Sequence, residues 1–124
     1  MTLQPRALAW DGGSLDPARC AVMAILSGTP DSFFDGGRYT GVEACLRRAW
    51  AVLEEGADVL DVGGESSRPG TQGVTEAEEL ERVLPFLRAL QDDERVYPLP
   101  ISIDTCRAEV ASQALAAGAC IIND

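Results

Sequence analysis

The run Asp61-Val-Gly-Gly-Glu-Ser-Ser-Arg-Pro-Gly70 carries the densest chemistry in the chain. It begins with strand-forming residues, Val59, Leu60 and Val62, and passes directly into a polar loop. Paired glycines allow positive φ and close approach of a ligand, Glu65 and Arg68 set opposite charges side by side, and Pro69-Gly70 fixes a turn. A loop of this polarity after a strand is where α/β enzymes hold their chemistry. A second polar stretch, Ser27-Gly-Thr-Pro-Asp-Ser-Phe-Phe-Asp-Gly-Gly37, follows the apolar run Ala21–Leu26. Asp104-Thr105 and Asn123-Asp124 close two further short apolar runs, so polar residues recur at the carboxyl ends of strands.

The elements that must position these residues alternate between strand and helix. Ala7–Trp10, Asp11-Gly-Gly13 and Ser14-Leu15 read as a small hairpin ahead of the main fold. Ala21–Leu26 is a buried parallel strand. From Gly41 to Glu55, Val42, Cys45, Leu46, Ala49, Val52 and Leu53 share one face at helical spacing, and Gly56 ends the helix. Asp58–Val62 is the next strand. Thr75-Glu-Ala-Glu78 opens a capped helix whose Leu80, Val83, Leu84, Leu87 and Leu90 face inward and which runs out at Gln91–Glu94. Pro100–Ile103 is a third strand, with Asp104-Thr105 at the position of a helix N-cap. A helix with Val110, Ala114 and Leu115 inward then closes at Gly118, and Cys120–Ile122 is a fourth strand. Right-handed crossovers make the sheet parallel. The pattern fits a doubly wound sheet and a TIM barrel equally, and a barrel needs about 250 residues, so barrel sequence of this length is expected to be its first half.

Composition bounds the function. The chain has 124 residues, 46% hydrophobic and 24% charged, an ordinary globular balance. A net charge of −10 argues against nucleic acid and against an anionic membrane surface as partners. All ten cations are arginine; without lysine or histidine, general acids or bases of those types have to come from elsewhere, although a compositional bias accounts for the missing lysine as well. Cys20, Cys45, Cys106 and Cys120 lack metal-site or redox spacing and read as small buried hydrophobes in a reducing compartment. The N-terminus lacks a signal peptide's apolar run and no segment approaches the ~20 apolar residues of a membrane span, which makes cytoplasm the expected location.

Taken together, Met23–Phe33, Asp61–Gly70, Ile101–Thr105 and Ala117–Asp124 resemble, in order and spacing, the successive motifs of the dihydropteroate synthases. The resemblance implies an α/β fold of (β/α)8 TIM-barrel type, of which residues 1–19 are an N-terminal segment with a hairpin and 20–124 a partial pterin-binding domain with about four strands and three helices. It implies condensation of 6-hydroxymethyl-7,8-dihydropterin diphosphate with 4-aminobenzoate, giving 7,8-dihydropteroate and diphosphate in folate biosynthesis. Asp104 and Asn123 match the pterin-binding pair: a carboxylate accepts from ring N–H groups, and a carboxamide donates and accepts. A helix N-cap is the competing account of Asp104, and an end-of-strand turn that of Asn123.

Thr29, Pro30, Asp31, Ser32, Phe33 and Asp35 match the family's first substrate loop, and Ser66, Ser67, Arg68 and Pro69 the second, which together build the aminobenzoate pocket and engage diphosphate. Asp35 and Arg68 are the catalytic candidates, Arg68 binding diphosphate or pairing with Asp35; Phe33 and Pro69 flank the aromatic ring. The competing accounts are a solvated Arg68 and a Phe33 packed in the loop base. Mg²⁺ is the implied cofactor, with Ser27 standing where the family usually has asparagine as the ligand; serine reaches less far, so a water-bridged ion is an equal alternative. Gly28 replaces a branched apolar residue and Ser67 the usual threonine. The family's further pterin-binding aspartate and lysine, and its diphosphate-binding arginine and histidine, belong to the other half of the barrel. Full activity is therefore expected to need that half, and an open half barrel is expected to dimerise or self-associate. The alternatives are a non-catalytic pterin-binding fragment or paralogue and, on fold analogy, a folate-dependent methyltransferase domain.

Overall fold

The computed structural model describes residues 8–10, 13–16, 18–27, 41–64, 74–97 and 99–124. Two short strands, β1 (Leu8–Trp10) and β2 (Gly13–Leu15), pair antiparallel with Leu8 opposite Leu15. Gly13 is required by close approach, since a Cβ there would come within 2.9 Å of the Trp10 indole. The hairpin read from the Asp11-Gly-Gly13 signal is present.

The main body is a four-stranded parallel sheet in the order β3 (Met23–Ser27), β4 (Val59–Gly63), β5 (Ile101–Asp104), β6 (Ile121–Asn123). The connections carry α1 (Gly41–Glu54), α2 (Glu76–Asp92) and α3 (Ala108–Ala116). Strand order equals chain order, with no reversal, and this resolves the choice that pattern left open. A doubly wound sheet switches direction at its first strand, whereas a barrel adds each strand beside the last.

Strand periodicity sorts the sheet into two faces. Leu26, Val62 and Ile103 are register partners, as are Ala24, Leu60 and Ile101, and all but Ala24 are essentially fully buried. They pack with Cys45, Ala49 and Val52 of α1, Val83, Phe86, Leu87 and Leu90 of α2, and Val110 and Ala114 of α3 in one core. The opposite face carries Ile25, Asp61, Ser102 and Ile121 in one row and Ser27, Gly63, Asp104 and Asn123 in the next row toward the carboxyl ends. Ile25 is 70% exposed on that face.

Local chemistry explains the helix bounds. Thr75 caps α2: its Oγ1 accepts from the Glu78 N–H at 3.1 Å and donates to Glu78 Oε1. Both α1 and α3 end in the same motif at a glycine of positive φ, Gly56 (99°) and Gly118 (116°). In each, the residue after the glycine donates to the carbonyl five positions back, Ala57 to Val52 and Ala119 to Ala114, both at 3.0 Å. Pro85 lies inside α2, on its exposed side. Trp50 of α1 donates from Nε1 to Asp93 Oδ2 at 3.0 Å and lies under the Arg95 guanidinium, tying α1 to the end of α2.

Several expectations shift. Leu115 is 43% exposed, because the side of α3 it occupies has no neighbouring helix among the described residues. The inward set of α2 omitted Phe86 and the buried Glu79. Asp104 does not cap α3: it is the last residue of β5, and the helix begins after Arg107, which makes no side-chain cap. Only Cys45 is a fully buried thiol; Cys20 and Cys106 are exposed and Cys120 is half-buried, donating to the Ile101 carbonyl at 3.7 Å. No helix among the described residues is long and apolar enough to cross a membrane.

Burial pushes the Cys45 thiol up to about 12. A thiol reagent added to the native chain at pH 8 is therefore expected to modify Cys20 and Cys106 promptly and Cys45 only on denaturation, as peptide mapping by mass spectrometry would show. Prompt labelling of Cys45 would mean that α1 does not pack on the sheet.

Candidate functional site

The carboxyl-end row of the sheet face opposite the helices brings Gly63, Asp104 and Asn123 together on three adjacent strands. The row below holds Asp61, 2% exposed, and Ser102, fully buried. Ser102 Oγ donates to Asp61 Oδ1, and Asn123 Nδ2 lies 3.3 Å from both Asp61 oxygens. One carboxylate on β4 thus links β5 and β6 through their side chains, and it lies beneath the two residues expected to bind a pterin.

Asp104 is exposed. Its carboxyl is held above its ordinary value of 3.8, first by desolvation and then by the negative charges of Asp61, Glu79 and Asp124. A ligand that brings N–H donors to this spot relieves the repulsion; one that brings acceptors adds to it. Asn123, expected as the other member of the pair, is half-buried and is held by Asp61 at the end of β6, so a free end-of-strand turn does not describe it.

Gly63 and Gly64 were expected to supply positive φ and closeness to a ligand. Neither has positive φ, and what approaches them closely is the protein itself. A Cβ on Gly64 would sit 3.0 Å from Val83 Cγ1 and 3.1 Å from the Glu79 carbonyl oxygen, so this glycine lets β4 run onto α2. On Gly63, a Cβ would meet Asp104 Cβ at 3.4 Å and Oδ2 at 3.6 Å. Gly63 thereby leaves open the space over which Asp104 lies.

Two arginines hold the backbone at either end of the 65–73 stretch. Arg82 Nη1 donates to the Gly64 carbonyl at 3.0 Å, and Arg107 Nη2 to the Val74 carbonyl at 2.6 Å. Arg107 is itself fixed by Glu79, a carboxylate 2% exposed on α2: Nη1 lies 3.3 Å from Oε2. Thr105 Oγ1 donates to the same carboxylate at 3.0–3.1 Å and accepts from the Arg107 N–H at 3.1 Å. Glu79 therefore locks the β5–α3 turn, which starts at Asp104, to the end of the Arg68-bearing stretch.

Sequence reasoning missed Asp61, Ser102, Glu79, Arg82 and Arg107 as parts of this arrangement. The available signal for the first two was a polar residue at the middle of each of two apolar strand runs. Glu79 gave a weaker one, a charged residue at the helical spacing of Val83 and Phe86.

Of the other site residues named from sequence, Thr29, Pro30, Asp31, Ser32, Phe33, Asp35, Ser66, Ser67, Arg68 and Pro69 lie outside the described residues. Ser27 is described through its backbone alone, at the end of β3 opposite Gly63. No group of three or more Asp, Glu, Cys or His side chains that could hold a metal ion occurs among the described residues. A cavity of about 480 Å³ lies elsewhere, between α3 and β6, lined by Ala111, Leu115 and Ile122 among others and by neither Asp104 nor Asn123. It lies on the helix side of the sheet.

The buried pair and the raised carboxyl generate two expectations. Arg107→Ala leaves the Glu79 carboxylate buried beside a lost cation and is expected to cost about 3 kcal/mol in urea unfolding, with Glu79→Gln in the same chain recovering part of it. A change below about 0.5 kcal/mol would show that the pair does not hold the turn. For Asp104 the folded state favours the neutral acid, so the penalty on folding grows as pH rises from 3.8 through the raised folded value and is complete above it. Asp104→Asn should raise the melting temperature at pH 7 and leave it unchanged at pH 3; equal melting at both would remove the electrostatic account.

Comparison with known proteins agrees with this geometry. Residues 23–124 match the family described as pterin binding enzyme. The dihydropteroate synthase of Clostridium beijerinckii is 46% identical over 106 residues, covering 86% of this chain and 38% of that protein. The solved Xanthomonas albilineans dihydropteroate synthase with 4-aminobenzoic acid superposes with a TM-score of 0.86 at 47% identity, over 95% of this chain and 43% of that one. Burkholderia cenocepacia dihydropteroate synthase complexed with 7,8-dihydropteroate gives 0.79 at 42% identity, over 99% and 39%. The chain thus spans about two fifths of its relatives' length, corresponding to their N-terminal part, and its sheet is part of their TIM barrel. A singly wound parallel sheet with Asp104 and Asn123 side by side at its carboxyl end, matched over residues 23–124, places this chain in the pterin-binding enzyme family.

Proposed function

We propose that this chain supplies the N-terminal half of a dihydropteroate synthase, joining 6-hydroxymethyl-7,8-dihydropterin diphosphate to 4-aminobenzoate. The observation that carries the reading is the pairing of Asp104 with Asn123 at adjacent strand ends above the buried Asp61. Both can accept from the amino and ring N–H edge of a pterin, and Asp104 gains from doing so because its charge is opposed by Asp61, Glu79 and Asp124. The names of the relatives support the same substrates: one is solved with 4-aminobenzoic acid and another with 7,8-dihydropteroate.

In the proposed reaction the C–O bond of the pterin methylene breaks with its electron pair leaving on diphosphate. The arylamine nitrogen forms the new C–N bond and then loses a proton to solvent. The protein's share is positioning and charge stabilisation. Asp104 and Asn123 fix the ring. Arg68, which lies in sequence between Gly64 and Val74, binds the departing diphosphate and pairs with Asp35 between turnovers. Thr29, Pro30, Asp31, Ser32 and Phe33, with Ser66, Ser67 and Pro69, enclose the aromatic amine. Magnesium held at Ser27 would neutralise the leaving group, and no step here depends on it.

The partners in this reading are the two small substrates and the rest of the barrel, supplied by further sequence, a second chain or a second copy. The free cysteines Cys20 and Cys106, exposed on the surface, fit a reducing cytoplasm. A second reading is a pterin binder without catalysis, for which the Asp104 and Asn123 pair at adjacent strand ends would suffice.

A chimera separates the two. Residues 1–124 are joined to the C-terminal remainder of the Clostridium beijerinckii synthase in place of its own N-terminal part, and 7,8-dihydropteroate formation is assayed. The chimera is expected to turn over and its Asp104→Asn form to lose at least about tenfold in kcat/KM. A folded chimera without turnover would support the binder instead.

A further inference from the structure

A carboxamide has a donor end and an acceptor end of nearly the same shape, and which end meets the ligand decides what it recognises. In this chain the choice is made from below. Asn123 Nδ2 is 3.3 Å from Oδ1 and from Oδ2 of Asp61, and a carboxylate only accepts. Turning the amide over would set two oxygens against each other on a group that is 2% exposed, where water cannot relieve the conflict. Asp61 in turn is held by the Ser102 hydroxyl from the neighbouring strand. Its row lies below the row of Asp104 and Asn123, so it acts through Asn123 and not on a ligand directly.

We propose that Asp61 is a positioning residue that fixes the Asn123 carboxamide with Oδ1 toward the ligand, so that this position selects a ring N–H or amino donor over a ring acceptor. The inference rests on reading Asp104 and Asn123 as the pterin-binding pair and deepens it. With Asp104 already an acceptor, the two side chains present acceptors together, which suits the amino–pyrimidine edge of a pterin and disfavours a heterocycle with only lone pairs on that edge.

Replacing Asp61 by asparagine is the informative change. The Ser102 hydroxyl takes the new amide's oxygen, leaving its N–H₂ to face Asn123, whose amide then turns its own oxygen down and its donor end up. The double change Asp61→Asn with Asn123→Asp restores a donor below and an acceptor above.

The test uses the whole chain labelled with ¹⁵N-asparagine, which yields a single side-chain amide signal because Asn123 is the only asparagine. In the wild type one Nδ2 proton should be shifted downfield and slow to exchange; an ordinary, fast-exchanging pair overturns the proposal without any variant having to fold. Binding of 6-hydroxymethylpterin to the chimera with the Clostridium beijerinckii remainder, followed by fluorescence, should weaken about tenfold or more in Asp61→Asn and recover most of that loss in the double variant. A merely structural role predicts a double variant no better than the single one. If the wild type itself does not bind the probe, the pterin reading fails and the inference with it. If wild type and Asp61→Asn bind equally, the inference alone fails.

Discussion

A carboxylate buried in the middle of a parallel sheet has to be satisfied from its own and neighbouring strands, and in this chain that requirement organises the site. Asp61 cannot reach water, so β5 must offer Ser102 and β6 must offer Asn123 at matching heights. A slip of one residue in either strand would turn those side chains to the helix layer and leave the carboxylate alone. The register that satisfies Asp61 is the same register that sets Asp104 beside Asn123 one row higher. The sheet register and the proposed recognition pair are therefore specified by one interaction.

Around this pair the chain accumulates negative charge. Asp104, Asp124 and Glu79 join Asp61, and Asp104 is held above its ordinary value first by desolvation and then by these charges. Such crowding opposes folding and is the kind of stored strain that functional sites retain. Glu79 also does separate work, binding Thr105 and Arg107 and, through Arg107, the Val74 carbonyl. Arg82 likewise holds the Gly64 carbonyl, so Gly64 and Val74 are each tied to the layer that carries Asp104.

Much of this was legible in the sequence because period and punctuation are local. Gly56 and Gly118 mark two helix ends by the backbone they alone adopt readily, and Thr75 with Glu78 marks a third helix boundary. The strand bounds moved by one or two residues, as Ala21–Leu26 became Met23–Ser27, since hydrogen bonding and not hydropathy ends a strand. Asp104 was legible as a ligand candidate and misleading as a cap; what separates the two is where α3 starts, which Thr105 and Arg107 decide through Glu79, 26 and 28 residues away. Asp61 was read only as the start of a loop motif. Its partners lie 41 and 62 residues downstream, and no local pattern announces a pairing at that distance. Leu115 failed for a related reason: helical spacing names a face but not what covers it.

The open flanks, with Ile25 on one side and Leu115 and Ile122 on the other, mark where the rest of a barrel would close over the sheet and the cavity beside α3. The central claim is that the ligand site lies at the carboxyl-end row of the sheet and not in that cavity. Backbone amide shift mapping of the chain titrated with 6-hydroxymethylpterin tests it most directly. The account predicts perturbations centred on Gly63, Asp104 and Asn123; perturbations confined to Ala111, Leu115 and Ile122 would contradict it.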